Sequence, residues 1–457
     1  MTPSNGPLAS AAATPAAAPT SSALLTDHYE LTMLQAALAA GTGTRRAVFE
    51  LFGRRLPEGR RYGVVAGVGR ALDLLERFRF DDATLAVLEE GRVVDGPTLE
   101  WLAGYRFTGD VWGYAEGEVY TAYSPLVVVE GTFAEAVLLE TLLLSVYNHD
   151  SAIASAASRM TMAAGDRPCI EMGSRRTHEE AAVAAARAAY VAGFASTSNL
   201  AARARHGVPT TGTSAHSFTL LHDQERDAFR AQVDALGVGT TLLVDTYDVE
   251  EAVRTGLEVA GTELGAVRLD SGDLRAVAVR VRELLDSLGA TATKIVVTSD
   301  LDEHAIAAMA ACPVDVFGVG TSLVTGSGHP TSGFVYKLVA REGADGTLQP
   351  VEKRSPLKGS HGGRKDAFRR HDAAGTAVAE VVTTRPLGGQ HGSGEEPPAP
   401  PEPGDRRLLV PLVRDGEAVG REPLDAARER HLASRAALPA AAQQLSKGDP
   451  VLVTLSA

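Results

Sequence analysis

The period of apolar positions changes three times along the chain. Residues 1–22 carry almost no large apolar side chain and are mostly Ala, Pro, Ser and Thr, which predicts a disordered tail. That run lacks a basic start and a continuous apolar stretch, so it does not read as a signal peptide or membrane anchor. From Leu24 the spacing turns helical. Tyr29, Met33 and Leu34 share a face of TDHYELTMLQAALAAG, with Asp27 placed to cap it and Gly41 to end it. AVFELFGRRLP then alternates as a strand, VGRALDLLERF returns to helical spacing, and GDVWGYAEGEVYTAYSPLVVVEG alternates aromatics with small or polar residues, as in an antiparallel sheet. Thr132 to Ala164 predicts two helices broken near Tyr147–Asn148.

The second change comes at Arg167. Short β-branched or apolar runs (PCIEM, GFAS, VPTTG, TTLLVD, GAVRLD, TKIVVTS, VDVFGVG) now alternate with helical segments such as THEEAAVAAARAAYVAG, VEEAVRTGLEVA, LRAVAVRVRELLDSLG and EHAIAAMAA. So many consecutive βα units predict a parallel sheet, and closure into a barrel is its simplest form. After Thr325 the pattern reverts. FVYKLVARE and TLQPVEKR read as antiparallel strands, KGSHGGRKDAFRR as a glycine-rich basic loop, and Gly389 to Asp405 as an exposed Pro-Glu-rich loop. LLVPLVRDG, a helix through PLDAARERHLASRAALP and a last strand in VLVTLSA follow. The expected fold class is α/β: an irregular parallel βα barrel (TIM-like) plus an α+β domain built from N- and C-terminal segments. The expected boundaries are 1–22 for the tail, 23–131 with 325–457 for the α+β domain and 132–324 for the barrel.

Composition narrows the function classes. The 44 Lys+Arg against 57 Asp+Glu leave a formal charge of −13, which argues against a broad nucleic-acid surface. Two cysteines, Cys169 and Cys312, cannot build a disulfide framework, and no stretch is apolar enough to span a bilayer. A cytoplasmic protein without nucleic-acid or membrane partners is expected.

Polar residues gather just past successive strand ends: Glu171, Arg175 and Arg176; Ser196 to Asn199; His216; Asp245 and Asp248; Arg268, Asp270, Ser271 and Asp273; Ser299 and Asp300; then Gly318 to Ser322. In parallel βα barrels that rim carries the chemistry. Acidic residues after strands also serve as helix caps, a reading that suits Asp248 and Asp302. Caps leave the paired arginines and the DSGD run unexplained.

The blocks TDHYELTM, FELFGRRLP, EMGSRR, GTSAHS, VDTYD, VRLDSGDL, VFGVGTSL and KGSHGGRK together resemble the nicotinate phosphoribosyltransferase family, of the type II phosphoribosyltransferase group. The resemblance implies conversion of nicotinate and phosphoribosyl pyrophosphate to nicotinate mononucleotide and pyrophosphate. It also implies Mg²⁺, ATP as co-substrate and a homodimer with shared sites. His216 matches a histidine that the family phosphorylates, and a neutral imidazole is a competent acceptor when a neighbour fixes its tautomer. Asp245 is the expected neighbour. Asp270 and Asp273 match residues that face ribose hydroxyls or Mg²⁺, with Ser271 and Asp300 beside them and Arg268 on an anionic group. Gly318, Gly320 and Thr321 match a 5′-phosphate loop. Arg175 matches a residue at the substrate ring and Tyr29 one that reaches the neighbouring subunit's site. Lys358 and Lys365 would sit on a basic lid.

Three departures qualify the match. Met172 stands where relatives carry phenylalanine, replacing an aromatic stack by a thioether. Gly362–Gly363 stand where relatives carry Pro-Gly, which predicts a looser lid. Ser198 stands where nicotinamide-using relatives carry aspartate, which would repel a carboxylate, so nicotinate is favoured. The alternatives are a nicotinamide-preferring transferase, another barrel enzyme such as an isomerase or aldolase, and a catalytically silent barrel scaffold. Lys294 begins its strand rather than ending it, against a Schiff-base aldolase.

Overall fold

The computed structural model describes residues 21–353, 361–385, 399–450 and 452–456. Segments far apart in sequence share one antiparallel sheet. Its order is Leu348–Pro350, Phe334–Glu342, Arg46–Gly53, Val127–Thr132, Asp110–Tyr114, Leu409–Arg414 and Glu417–Ala418. The strand Arg46–Gly53 is central in it and buried on both faces, not exposed on one as alternation predicts. Phe49 and Leu51 enter the apolar core, and on the other face Glu50 is covered by the ammonium of Lys365 at 2.6 Å.

The expected tail reaches too far inward. Ser22 is buried, its Oγ donates to the Leu74 carbonyl at 2.6 Å and its N–H to Arg77 at 3.1 Å, so the ordered chain includes it. Residues 1–20 lie outside the described residues, as do Lys358 and most of the Pro-Glu-rich stretch.

The second sheet is the expected parallel one. Its order is Ser196–Thr197, Cys169–Glu171, Val316–Val319, Lys294–Ser299, Ala266–Leu269 and Thr241–Leu243, and every pairing is parallel. Helices Glu179–Val191, Val249–Ala260, Leu274–Ser287 and Glu303–Ala308 make crossovers. The segment VPTTG adds only a single bridge, Thr210 to Thr197. The described ladder therefore runs from Thr210 to Thr241–Leu243 without closing, and the barrel is irregular. The opening lies between the two segments that bracket His216 in sequence.

One long helix joins the two cores. Thr132 and Glu135 form a capping box that starts the helix Phe133–Val137. The break comes at Leu138–Leu139, and Glu140–Ala164 then runs without interruption through Tyr147–Asn148. Asn148 does not break it because its side chain points outward, accepting from the Phe334 N–H at 2.8 Å. The first half of this helix buries Leu142, Leu143, Val146 and Tyr147 against the antiparallel sheet. The second half buries Ile153, Ala157 and Met160 in the barrel core. Full burial of each of the Leu, Val, Ile and Met side chains contributes on the order of 2 kcal/mol, so the helix anchors the barrel to its neighbour.

The second half of the stretch expected as a basic loop is instead a strand, Lys365–His371, in a four-stranded sheet with Arg406–Arg407, Ala377–Thr384 and Val453–Ser456. Its cations are buried and paired: Arg364 with Glu130 at 3.0 Å, Lys365 with Glu50, and Arg369 with Glu380 at 3.0 Å. Gly363 is anchored rather than loose. Its φ of 95° suits glycine, a Cβ there would strike Thr384, and its N–H donates to Val339 at 2.8 Å.

Candidate active site

The C-terminal ends of the parallel strands surround a cleft of about 560 Å³. Met172, Arg175, Ser198, His216, Arg268, Asp270, Asp300, Gly318, Gly320 and Thr321 line it, ten positions that the sequence singles out. Strand ends converge here because each strand stops in polar or small residues that leave the ladder.

His216 begins the short helix His216–Leu220 after an unpaired run of hydroxyl residues. Its Nδ1 lies 3.2 Å from Thr246 Oγ1. Its Nε2 faces two carboxylates, Asp245 Oδ1 at 4.0 Å and Asp270 Oδ2 at 3.9 Å. Asp245, the expected neighbour, is thus beside the ring without a direct hydrogen bond to it. Asp245 does not line the cleft. Its Oδ2 accepts from the Asp270 N–H at 2.9 Å and from Ser271 Oγ at 2.7 Å, while its buried Oδ1 has no partner. Ser271 is therefore engaged with Asp245.

Arg268 is committed in part to the same loop. Its Nη1 donates to Thr213 Oγ1 at 2.5 Å and to the Ser214 carbonyl at 3.0 Å, and its Nη2 stands 3.8 Å from Asp270 Oδ1. Burial lowers its pKa, an effect that the Asp270 and Asp245 carboxylates oppose. Asp270 also accepts from the Thr298 hydroxyl. Arg175 and Arg176 are exposed at the cleft mouth.

Beneath the arginine loop, Glu171 is fully buried and accepts from the Thr197 hydroxyl and the Gly173 N–H. Burial raises its pKa and these donors oppose the rise. The Ser198 N–H donates to the Glu171 carbonyl at 2.8 Å, which fixes Ser198 on the wall. Gly318 lies inside its strand, paired with Thr298 and Ile170, instead of in a free loop. Gly320 precedes the four-residue helix Thr321–Val324.

Other expected residues lie elsewhere. Asp273 caps the helix Leu274–Ser287, accepting from the Ala276 N–H at 3.3 Å, as Asp248 and Asp302 cap theirs. Lys365 is held in the buried pair with Glu50, not on a lid. Tyr29 is 46% exposed on the helix His28–Ala39, away from this cleft, and burial with Glu140 and Glu30 pushes its hydroxyl pKa up to about 12. Thr246 and Thr298 escaped the sequence reading. Their signal is position: each is a hydroxyl at or next to a strand end, beside a carboxylate.

Among the described residues no group of three or more His, Cys, Asp or Glu could hold a metal ion by itself. No helix among them is long and apolar enough to cross a membrane.

Comparison with known proteins places the chain in a family. Residues 24–148 match the nicotinate phosphoribosyltransferase (NAPRTase) N-terminal domain and residues 168–378 the nicotinate phosphoribosyltransferase (NAPRTase) family. The chain is 56% identical over 439 residues to nicotinate phosphoribosyltransferase pncB1 of Mycobacterium tuberculosis, covering 94% of each chain. It is 38% identical to the nicotinate phosphoribosyltransferase of Bacillus subtilis, covering 78% of this chain and 76% of that one. The crystal structure of human nicotinic acid phosphoribosyltransferase superposes with a TM-score of 0.79 at 27% identity, covering 94% of this chain and 97% of that one. By sequence and by fold, this chain belongs to the nicotinate phosphoribosyltransferase family.

Proposed function

We propose that the cleft joins nicotinate to the phosphoribosyl group of phosphoribosyl pyrophosphate, giving nicotinate mononucleotide and pyrophosphate for NAD biosynthesis. The observation that carries this reading is the convergence of Arg175, Arg176 and Arg268 with Asp270 and Asp300 on one wall system. The guanidinium groups suit the nicotinate carboxylate and the phosphates. The nicotinate nitrogen attacks C1′ as the bond from C1′ to the pyrophosphate oxygen breaks. A carboxylate at Asp270 offsets the positive charge that develops on the ribosyl centre. Ser198 leaves the ring's carboxylate unopposed by negative charge at that position.

Asp270 and Asp300 fit a Mg²⁺ ion that keeps most of its ligands from water and substrate phosphates, because Mg²⁺ needs only one or two protein carboxylates. A Mg²⁺ ion held there would supply positive charge to offset that of the departing pyrophosphate. Asp273 is not needed for it, being engaged as a cap.

His216 is the residue we assign to ATP. Transfer of the γ-phosphoryl group to an imidazole nitrogen releases ADP, and hydrolysis of the phosphohistidine returns phosphate and the free ring. A homodimer is supported by Tyr29 and Met33, both exposed and one helical turn apart on an outer face beside exposed Leu24 and Leu25. We place the enzyme in the cytoplasm.

The test is incubation with γ-labelled ATP, nicotinate and phosphoribosyl pyrophosphate, following mononucleotide and acid-labile protein label together, with nicotinamide in a parallel arm. Nicotinate mononucleotide with labelled protein is expected. Faster turnover of nicotinamide overturns the substrate choice, and mononucleotide without label overturns the role of His216.

A further inference from the structure

Beneath the cleft, one buried side chain holds two of its walls. Glu171 is fully buried and does not line the cleft, yet each of its carboxylate oxygens takes a donor from a different wall. Oε1 accepts from the Gly173 N–H, at the start of the turn that presents Arg175 and Arg176. Oε2 accepts from the hydroxyl of Thr197, the residue before Ser198. With its proton on Glu171, Thr197 Oγ1 accepts in turn from the Asn199 N–H at 2.9 Å.

Ladder bonds alone do not fix this spacing. The parallel pairing of Cys169–Glu171 with Ser196–Thr197 ends at the bond from the Ser198 N–H to the Glu171 carbonyl, 2.8 Å long. There the two segments part. The Met172 N–H turns to the Val319 carbonyl at 2.8 Å, and the turn closes on itself from the Arg176 N–H to the Gly173 carbonyl at 2.8 Å. Beyond that point side chains carry the connection: the Glu171 carboxylate, and a bond from Asn199 Nδ2 to Ser174 Oγ at 3.0 Å. Gly173 lets the turn press down on the carboxylate, since a Cβ there would strike Val324.

Among the described residues no cation pairs with Glu171, and burial works against its charge. A buried carboxylate on two donors without a counter-ion is costly, and departures of this kind concentrate at functional sites. We infer that Glu171 is a positioning residue: it sets the span between the Arg175–Arg176 turn and Ser198, and with it the fit of an aromatic carboxylate between guanidinium and hydroxyl. This rests on the proposed function, which puts nicotinate there.

Two readouts on the full-length protein test it. Glu171→Gln keeps the shape but offers a single acceptor oxygen, so one of the two donors loses its partner. Amide hydrogen exchange needs no turnover. Residues 172–176 and 196–199 are expected to exchange about tenfold faster than in the parent, the value of one hydrogen bond to a charged group. In steady state the KM for nicotinate is expected to rise about tenfold, with kcat and the KM for phosphoribosyl pyrophosphate within about twofold. Thr197→Val, which removes one donor and leaves the carboxylate in place, is expected to move both readouts the same way, and Thr197→Ser to return them. That pair decides the matter if Glu171→Gln does not fold.

Unchanged exchange in both segments overturns the tether. Faster exchange with both KM values unmoved, or raised equally, marks a purely structural tie and overturns the positioning role. If the parent forms no nicotinate mononucleotide, the proposed function fails, and the exchange rates alone decide whether Glu171 joins the two walls.

Discussion

Met172 Sδ stands 2.8 Å from the point a Cβ on Gly318 would occupy, and Thr298 Cγ2 stands 2.5 Å from it. Gly318 is therefore the gap into which the thioether packs. Gly318→Ala forces Met172 and Thr298 apart, and Thr298 is the residue that donates to Asp270. Overpacking of this kind costs about 1–3 kcal/mol. We expect lower kcat/KM for nicotinate together with a lower denaturation midpoint. Pairing Gly318→Ala with Met172→Ala should recover stability, and an unaltered midpoint in the single variant contradicts the packing argument.

Arg268 joins the loop before His216 to the strand bearing Asp270. Arg268→Lys keeps a cation but cannot reach Thr213 Oγ1, the Ser214 carbonyl and the Asp270 carboxylate together. Hydrogen bonds to a charged group contribute about 1.5–3 kcal/mol, so kcat/KM should drop about tenfold to a hundredfold. Steady-state rates with nicotinate measure this. Wild-type kinetics in Arg268→Lys would show that the tether is dispensable.

The parts of this enzyme written in local sequence were readable, and the parts written in tertiary contacts were not. Strand–helix alternation after Arg167 gave the parallel sheet, because each run carries its own period. The rim residues followed from strand ends alone. Asp273 was misplaced because a cap and a ligand look alike until the Ala276 N–H is seen beneath it. Lys365 was misplaced because its partner, Glu50, is 315 positions away in sequence. The helix through Tyr147–Asn148 survived because Asn148 spends its polarity on Phe334 and not on its own backbone.

Lys365 now carries a stability prediction in place of a binding one. It forms a buried pair with Glu50, and burial alone raises the Glu50 pKa while the Lys365 and Arg364 charges oppose that rise. Removing one partner leaves an uncompensated buried charge and costs about 3–5 kcal/mol. Lys365→Met should lower the urea midpoint sharply, and Glu50→Leu with Lys365→Met should recover much of the loss. A raised KM for phosphoribosyl pyrophosphate at unchanged stability would instead return Lys365 to the substrate.

His431 sets an acid limit on the fold. It is fully buried in the helix Leu424–Ala436, neither ring nitrogen completes a hydrogen bond, and burial, aided by the Arg435 charge, lowers its pKa to about 3. The folded protein therefore keeps this ring neutral while the unfolded chain protonates it near the ordinary value of about 6.5. Below that value the unfolded state binds the extra proton, so the contribution of neutral His431 is complete above about pH 6.5 and is lost as pH falls toward about 3. The slope from this one group is about 1.4 kcal/mol per pH unit. Urea unfolding measured at intervals from pH 7 to pH 4.5 should show the decline. His431→Leu removes both the titration and two unsatisfied nitrogens, so its stability should depend less steeply on pH over that range. Parallel pH profiles for the two proteins would rule His431 out as a source of the acid sensitivity.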